Sequence, residues 1–323
     1  MTNKERYNEL CNLDKSIPIF QQHWWLELVC KGNWDVIIDK NKEKVNGVLP
    51  YYIKKEVGLD SIGMPLLTQF MNPILMYPQN QKNSKKLQFE KKVIQNLYKA
   101  LPKVALIKQT WNSSCRNWLP LYWLNFSQST RYSYIIDDLS DLDLVFSNFE
   151  TKIRGDIRKA KKNVEVKKTN DSNILYEQVF NTFSRKGLAM PYSKELIKDI
   201  VSNCVKLSQG KIYYAKDIDE NIHAAIFVVW DKNKAYYLLG GGDLIYRNSG
   251  ATSLLLWNAI QELSLKVNCF DFEGSMINEV ERFVRGFGTK QIGLNSISKI
   301  FSKRYFALDS IYRFKKLFLN KSK

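Results

Sequence analysis

The first third of the chain alternates between helical and strand-like patterns of apolar positions. Residues 5–31 have apolar side chains at roughly helical spacing and predict a helical opening. Two strand-like runs, 34–38 and 45–53, flank a polar connector, and this arrangement predicts a β-hairpin. Further along, the pattern predicts another strand-like segment, a helix over about 85–101 and a strand over 104–107.

A similar order of elements returns in the second half of the chain. Residues 211–215 and 223–230 predict a second hairpin, which leads into a buried strand, a glycine-rich turn, a long helix and a strand over 269–273. Hairpin, strand, helix and strand therefore occur once in 34–107 and again in 211–273. The sequence predicts two copies of one α+β unit side by side.

The glycine-rich turn before the long helix is the feature on which we expect the function to depend. It begins with a run of glycines, Gly240 to Gly242, and ends at Gly250 and Ala251. A turn that leads into a helix N-terminus leaves several backbone N–H groups unpaired, and the helix dipole adds partial positive charge. These groups favour a phosphate or pyrophosphate, so the sequence predicts an anion site here.

Two carboxylates lie in the strand that follows the long helix. Strand alternation places Phe270 and Phe272 on one face and Asp271 and Glu273 on the other. Acidic side chains are unusual in a strand covered by helices, and a cleft would explain them. Desolvation in a cleft raises a carboxyl pKa, which suits a general base that takes a proton from an amine. The alternative is a structural ion pair with one of the basic residues downstream, Arg282, Arg285 or Lys290.

The composition is that of a globular protein with a strong positive charge. The 323 residues are 45% hydrophobic and carry a formal net charge of +17. Such a charge predicts polyanionic partners, although a generally lysine-rich surface would give the same number. No apolar run approaches the roughly 20 residues of a membrane span, and the N-terminal residues lack a secretory pattern, so we expect a cytoplasmic protein.

Several chemistries lack the residues they need. The five cysteines are scattered without C-x-x-C spacing, which argues against a disulfide framework and a zinc site. Only His23 and His223 are present, so a histidine-rich metal site or a Ser-His-Asp triad has little to be built from. We interpret both histidines as packing residues.

Two segments are densely basic. A helix predicted over 142–163 carries a Lys/Arg cluster after Thr151, which fits either a solvated face or phosphate binding. The tail from Ser298 to Lys323 interleaves basic and aromatic residues. That pattern is typical of an interfacial helix on anionic lipid, and a terminal helix docked on the first domain is the alternative.

Three motifs together resemble a known superfamily. Arg247-x-x-Gly250-x-Thr252 resembles the pyrophosphate loop of the GNAT acyltransferases, with Thr252 where Gly or Ala is usual. Asp271-Phe-Glu273-Gly-Ser275-Met, followed by an Arg-bearing segment over 281–288, resembles the FemAB-like branch. The basic run 152–162 is similar to the helix that opens the second half of those proteins.

The resemblance implies an α+β fold of two tandem GNAT-like (acyl-CoA N-acyltransferase) domains, each a mixed, mostly antiparallel sheet flanked by helices. We place an N-terminal domain at 1–141, a C-terminal domain with the donor site at 142–297 and a basic amphipathic tail at 298–323. The implied activity is transfer of an acyl or aminoacyl group to an amine, in cell-envelope, peptidoglycan or polysaccharide precursor biosynthesis. A non-catalytic module that binds nucleic acid or anionic lipid is the alternative.

The resemblance also implies roles for particular residues. Asp271 and Glu273 are the candidate catalytic residues. The candidate donor-binding residues are Arg247, Asn248, Ser249, Gly250, Ala251 and Thr252. The candidate substrate-binding residues are Arg154, Arg158, Lys159, Ser275, Arg282 and Arg285. We expect no tightly bound cofactor and no metal, with acyl-CoA or aminoacyl-tRNA as co-substrate, an anionic amine acceptor, and tRNA and an anionic membrane as further candidate partners.

Overall fold

The computed structural model describes residues 1–42, 44–274 and 276–319, with side chains described up to residue 311 in the last helix. The helices are α1 Asn3–Leu13, α2 His23–Cys30, α3 Asn83–Lys99, α4 Leu119–Tyr122, α5 Leu142–Ser147, α6 Thr151–Asn163, α7 Ser172–Arg185, α8 Lys194–Lys206, α9 Ala251–Leu263, α10 Asn278–Arg285 and α11 Lys303–Leu319. The strands are β1 Trp34–Asn41, β2 Lys44–Glu56, β3 Leu59–Gly63, β4 Ile74–Leu75, β5 Leu106–Thr110, β6 Ser127–Ile136, β7 Glu165–Thr169, β8 Gly210–Lys216, β9 Ile222–Trp230, β10 Ala235–Gly242, β11 Phe270–Asp271 and β12 Lys290–Ile300.

The first compact unit contains Met1–Arg131 and the chain from Leu294 onward. Its strands follow the order β1-β2-β3-β5-β12, and β4 pairs with β2. The neighbours are antiparallel except for β3 and β5, which run parallel. Helix α3 packs its apolar face, with Val93, Ile94 and Leu97, into the core of this unit.

The second compact unit contains Tyr132–Gly293. Its strands follow the order β6-β11-β10-β9-β8-β7. Again one neighbouring pair is parallel, β10 with β11, and the others are antiparallel. Helices α6 and α9 pack their apolar sides into its core, which includes Ile157, Leu255 and Ile260.

The predicted repeat and fold class are confirmed. In each unit a hairpin is followed by a strand, a helix and a second strand parallel to that first strand; in the first unit the short β4 comes between β3 and α3. A final antiparallel strand then completes each sheet, β12 beside β5 and β6 beside β11. The unit boundaries lie 10 and 4 residues before the predicted limits at 141 and 297. Residues 132–136 of β6 therefore belong to the second unit, and residues 294–297 of β12 belong to the first.

Three local predictions need correction. The helical opening is two helices, α1 and α2, joined through a short 3-10 turn. The single basic helix over 142–163 is two helices, α5 and α6, because the chain between them turns Phe149 into the core against Trp257 and Phe287. The run from Gly240 to Gly242 belongs to β10 rather than to a turn.

The C-terminal segment begins as a strand and continues as a helix. Residues 296–300 of β12 pair with β5, and α11 starts at Lys303. The Tyr305 hydroxyl donates a hydrogen bond of 2.7 Å to Glu56, and its ring packs on Ala105 and Leu106. The start of the tail is therefore docked on the first unit. Within the described part of the chain, no helix has the length and apolarity that a bilayer crossing requires.

Candidate active site

The predicted anion site is built at the N-terminus of α9. Gly250 caps this helix with a left-handed backbone, φ +81°, and no side chain caps the helix end. The Ala251 N–H donates to the Ser249 hydroxyl at 3.2 Å, and the Leu254 N–H donates to the Gly250 carbonyl. Among the described residues, the N–H groups of Thr252 and Ser253 have no hydrogen-bond partner. These two amides and the helix dipole present donors to an anion.

Helix α6 lies directly against this bend. A Cβ atom on Gly250 would lie 2.3 Å from the carbonyl oxygen of Asp156, so only glycine allows this approach. One turn further along α6, the Lys159 ammonium donates a hydrogen bond of 2.8 Å to the carbonyl of Asn248. The basic helix and the loop that resemble the superfamily motifs are thus in contact.

A cavity of about 810 Å³ extends from the bend. All six candidate donor-binding residues, Arg247 to Thr252, line it. Lys159 and Arg282 line it as well. Its charge is mixed rather than uniformly positive, since five basic side chains are accompanied by four acidic ones, Glu150, Asp156, Asp243 and Glu279. An anion at the bend would therefore meet local donors and not an overall positive field.

Three of the other candidate substrate-binding residues lie outside the lining of this cavity. Arg154 donates a hydrogen bond to the Ser147 carbonyl at 3.1 Å, and Arg158 is an exposed side chain of α6. Arg285 pairs with Glu150 at 3.1 Å and with Glu281 at 3.0 Å. Ser275 lies outside the described residues. Of the helix α6 candidates, only Lys159 faces the bend.

The parallel strands β10 and β11 separate next to the cavity. They pair over two residues only, Ala235 with Phe270 and Tyr236 with Asp271. Beyond this point β10 continues along β9 to Gly242, while the Phe272 N–H bonds to β6 at 2.9 Å. The two strands diverge and leave a wedge between them. Tyr237 and Phe272, one on each side of the wedge, both line the cavity.

Asp271 and Glu273 have different environments. Asp271 is buried, accepts a hydrogen bond from the Ser133 hydroxyl and accepts another, of 2.8 Å, from the Glu273 N–H. It does not line the cavity. The backbone of Glu273 is left-handed, φ +56°, which costs a non-glycine residue of the order of 1 kcal/mol. Asp271 thus holds the strained turn that carries Glu273.

One oxygen of the Glu273 carboxyl, Oε1, is buried without a hydrogen bond among the described residues. Burial raises the pKa of Glu273 well above the ordinary value, and the charge of Asp271 raises it further. Burial, followed by the charge of Glu273, raises the pKa of Tyr192. A carboxyl with a raised pKa directly after the wedge residue Phe272 is a candidate general base.

The sequence analysis interpreted His223 as a packing residue and did not place it at the cavity. This residue lines the cavity, is stacked on Tyr246 with ring centroids 3.9 Å apart, and places Nε2 3.1 Å from an Asp217 carboxylate oxygen. It thereby connects the turn between β8 and β9 to the loop that carries Arg247. The stack joins residues 23 positions apart, and local periodicity carries no signal for it. Within the described residues, no group of three or more His, Cys, Asp or Glu side chains could hold a metal ion.

One protein-family model matches most of the second unit. Residues 147–279 match the model of the acetyltransferase (GNAT) domain family. No curated protein matches the sequence significantly. Solved structures of similar fold include FemX, with 14% identity, a TM-score of 0.67 and coverage of 95% of this chain and 98% of that one. The fold is also similar to the C-terminal domain of a putative lysylphosphatidylglycerol synthetase from Agrobacterium fabrum, with 11% identity, a TM-score of 0.59 and coverage of 95% and 94%.

A third similar structure is a tandem GNAT protein from the clavulanic acid biosynthesis pathway, with 9% identity, a TM-score of 0.50 and coverage of 86% and 94%. At these identities the structures are informative about the fold alone. The predicted resemblance to the GNAT acyltransferases is confirmed for residues 147–279, and the similarity to FemX and to the tandem GNAT protein confirms the predicted fold.

Proposed function

Because residues 147–279 form a domain of the acetyltransferase (GNAT) family, we propose that the chain transfers an acyl group from an acyl-CoA to an amine. The observation that carries this proposal is the continuous cavity from the bare amides of Thr252 and Ser253 to the wedge between Tyr237 and Phe272. Glu273 follows Phe272 directly in the chain and lies just outside the lining. The first end suits the diphosphate of the donor, and the second suits the reacting thioester and amine.

The proposed reaction needs few catalytic side chains. The amine nitrogen attacks the thioester carbonyl, and the ionised Glu273 carboxylate takes the proton that the nitrogen loses. The register of β10 against β9 shifts between Tyr237 and Leu239, so Leu238 is an extra residue beside the wedge. We propose that the backbone N–H of Leu238 donates a hydrogen bond to the oxyanion that develops on the carbonyl. Collapse of this intermediate breaks the carbon–sulfur bond, and the departing thiolate takes up the proton that Glu273 received, so that a free thiol is released and the carboxylate is restored.

The acceptor is proposed as an anionic amine, a precursor of the cell envelope or of a polysaccharide. The net charge of +17 supports an anionic acceptor but fits a general surface property equally well. An aminoacyl-tRNA donor would require long contacts along the RNA backbone, whereas the cavity offers one compact anion site.

Mass spectrometry of reaction mixtures tests the proposal. The purified protein is incubated with acetyl-CoA or a longer acyl-CoA and a panel of amino sugars, peptides and amine-bearing lipid headgroups. We expect one amine to gain the mass of the acyl group, with release of one free thiol. Transfer from an aminoacyl-tRNA but from no acyl-CoA would contradict the proposed donor, and no transfer from either would contradict the enzyme.

Removal of the Lys159 ammonium should weaken donor binding selectively. In Lys159→Met the bend loses its contact at the Asn248 carbonyl and the donor loses a neighbouring cation. A charge-assisted hydrogen bond of this kind corresponds to roughly tenfold or more in affinity. We expect the KM for acyl-CoA to rise by about that factor while kcat changes little. Lys162→Met, on an exposed part of the same helix, is the matched control and should leave both constants unchanged.

Removal of the Asp271 charge should move the pH profile. The Asp271 charge contributes to the raised pKa of Glu273, so Asp271→Asn should lower that pKa. The rising limb of kcat/KM, which reports ionisation of the base in the free enzyme, should then shift to lower pH. A merely structural role would reduce the rate without moving the limb, and stopped-time assays across the pH range separate the two results.

A further inference from the structure

The first unit carries exposed aromatic and aliphatic side chains on and near α4, and two of the aromatic rings contact a lysine ammonium. Tyr122 is 58% exposed, Trp123 48% and Phe301 51%, and Leu87 on α3 is 49% exposed. The Lys91 ammonium lies 4.4 Å from the centre of the Trp123 ring, and the Lys299 ammonium lies 4.8 Å from that of Phe301. We call these six residues the α4 surface.

Contacts make this surface continuous. Helix α4 packs on α3, where Gln95 donates a hydrogen bond to the Pro120 carbonyl. Leu87 and Lys91 lie one turn apart on the same helix face as Gln95. On the other side, Lys299 donates a hydrogen bond of 2.6 Å to the carbonyl of Leu124, directly after Trp123. Single exposed apolar residues are common in proteins, but a contiguous group of this size indicates a contact site.

The charge around the α4 surface has one sign. The three segments that build it, 83–99, 112–126 and 297–306, contain five, one and three Lys or Arg residues. They contain a single acidic residue, Glu90, which is buried and accepts hydrogen bonds from Tyr77 and Asn117. No exposed carboxylate in these segments therefore offsets the nine cations.

We propose that the α4 surface binds the surface of a lipid bilayer that contains anionic headgroups. Tryptophan, tyrosine and lysine suit this boundary because each combines an apolar body with a polar end. The apolar side chains enter the headgroup region, and the lysines contact the anionic lipids.

Other occupants fit the α4 surface less well. A second copy of the chain would bring two strongly basic surfaces together, and these would repel. Single-stranded RNA would need flat ring faces for stacking, whereas Lys91 already covers one face of Trp123 and Leu87 has no ring. Anionic lipid matches both the apolar and the charged members of the surface.

Cosedimentation with vesicles tests this proposal. The full chain is mixed with vesicles of phosphatidylcholine alone, or of phosphatidylcholine and phosphatidylglycerol in equal parts. We expect binding to the anionic vesicles only, weakened by added salt. Lys91→Glu should reduce the vesicle affinity about fivefold or more, since each basic residue near an anionic surface contributes about that factor. The double variant Tyr122→Ser, Trp123→Ala should reduce it by a similar or larger factor.

Two matched variants on the second unit control for general charge and hydrophobicity. Lys198→Glu changes an exposed lysine of α8, and Ile218→Ser removes an apolar side chain that is 96% exposed. Both should bind vesicles like the unchanged chain. Equal vesicle binding by the α4-surface variants would overturn the proposal, as would binding of a single-stranded RNA in the absence of vesicle binding. The assay needs no acyl transfer, so its outcome is independent of the proposed function.

Discussion

Glu273→Gln is expected to remove most of the acyl transfer activity and to stabilise the folded protein at neutral and higher pH. The amide has the size of the carboxyl but cannot accept a proton from the amine. Loss of a general base reduces kcat by about 10²–10⁴-fold. Glu177→Gln, on the exposed side of α7, is the matched control and should leave kcat unchanged.

The stability effect follows from the raised pKa of Glu273. The folded-state pKa of Glu273 lies above the unfolded-state value. At pH values between these two pKa values, the folded protein therefore binds more protons than the unfolded chain. The free energy of unfolding therefore falls as pH rises through the folded-state pKa. Glutamine does not titrate, so the variant lacks this loss. Thermal denaturation across the pH range should show a small difference near pH 4 and a growing advantage for Glu273→Gln at higher pH.

The combination distinguishes a catalytic base from a structural residue. A carboxyl that stabilised the fold through hydrogen bonds would give a variant that is less stable as well as less active. An active Glu273→Gln variant, or an inactive one that is destabilised at every pH, would contradict the assigned role.

Gly250→Ala is expected to destabilise the second unit and to disrupt donor binding. An alanine there would adopt a left-handed backbone, and its Cβ would lie 2.3 Å from the Asp156 carbonyl. Strain of this kind costs about 1–3 kcal/mol, and α6 would have to move away from the bend. We expect a fall in the free energy of unfolding of that order and a rise in the KM for acyl-CoA.

Gly155→Ala is the matched control for this prediction. Gly155 lies in the interior of α6, is exposed, and has open space where a Cβ would be. The same substitution should stabilise the protein there by roughly 0.5–1 kcal/mol. Chemical denaturation and donor titration of the two variants should thus give opposite signs for stability, and only Gly250→Ala should weaken donor binding. Equal behaviour of the two variants would contradict the requirement for glycine at the bend.

The sequence predicts the bend before α9 and the two faces of the strand over 269–273. Gly250 before an apolar helix marks a left-handed cap, and the six residues from Arg247 to Thr252 all line the cavity. Alternation separates the phenylalanines from the carboxylates, since Phe270 and Phe272 both enter the core. Alternation alone could not assign different roles to Asp271 and Glu273. Ser133, which donates a hydrogen bond to Asp271, and Tyr192, whose pKa the charge of Glu273 raises, both come from distant segments.

Helical periodicity could have refined the choice among the basic residues. The α6 residues that line the cavity include Lys152, Asp156 and Lys159, which share one helix face. Arg154 and Arg158 are one turn apart on a different face. Composition marks the helix as basic but does not indicate which face contacts the bend. The tertiary contact at Gly250 decides that.

The glycine run in β10 shows why composition can mislead. Gly240 to Gly242 suggest a turn, yet they pair with β9 as a strand. A Cβ on Gly241 would lie 2.1 Å from the carbonyl oxygen of Gln178, so glycine is needed there for α7 to cross the strand. A close approach between distant segments requires the same residue type as a turn. Sequence alone does not separate these two causes.

We expect the free amides at the start of α9 to bind the diphosphate of an acyl-CoA donor. Amide-resolved NMR of the protein during titration with coenzyme A tests it most directly. The Thr252 and Ser253 N–H resonances should move downfield, and their exchange with solvent should slow, as coenzyme A fills the site. Saturation with coenzyme A that leaves both amides unchanged, while shifting resonances elsewhere, would contradict it.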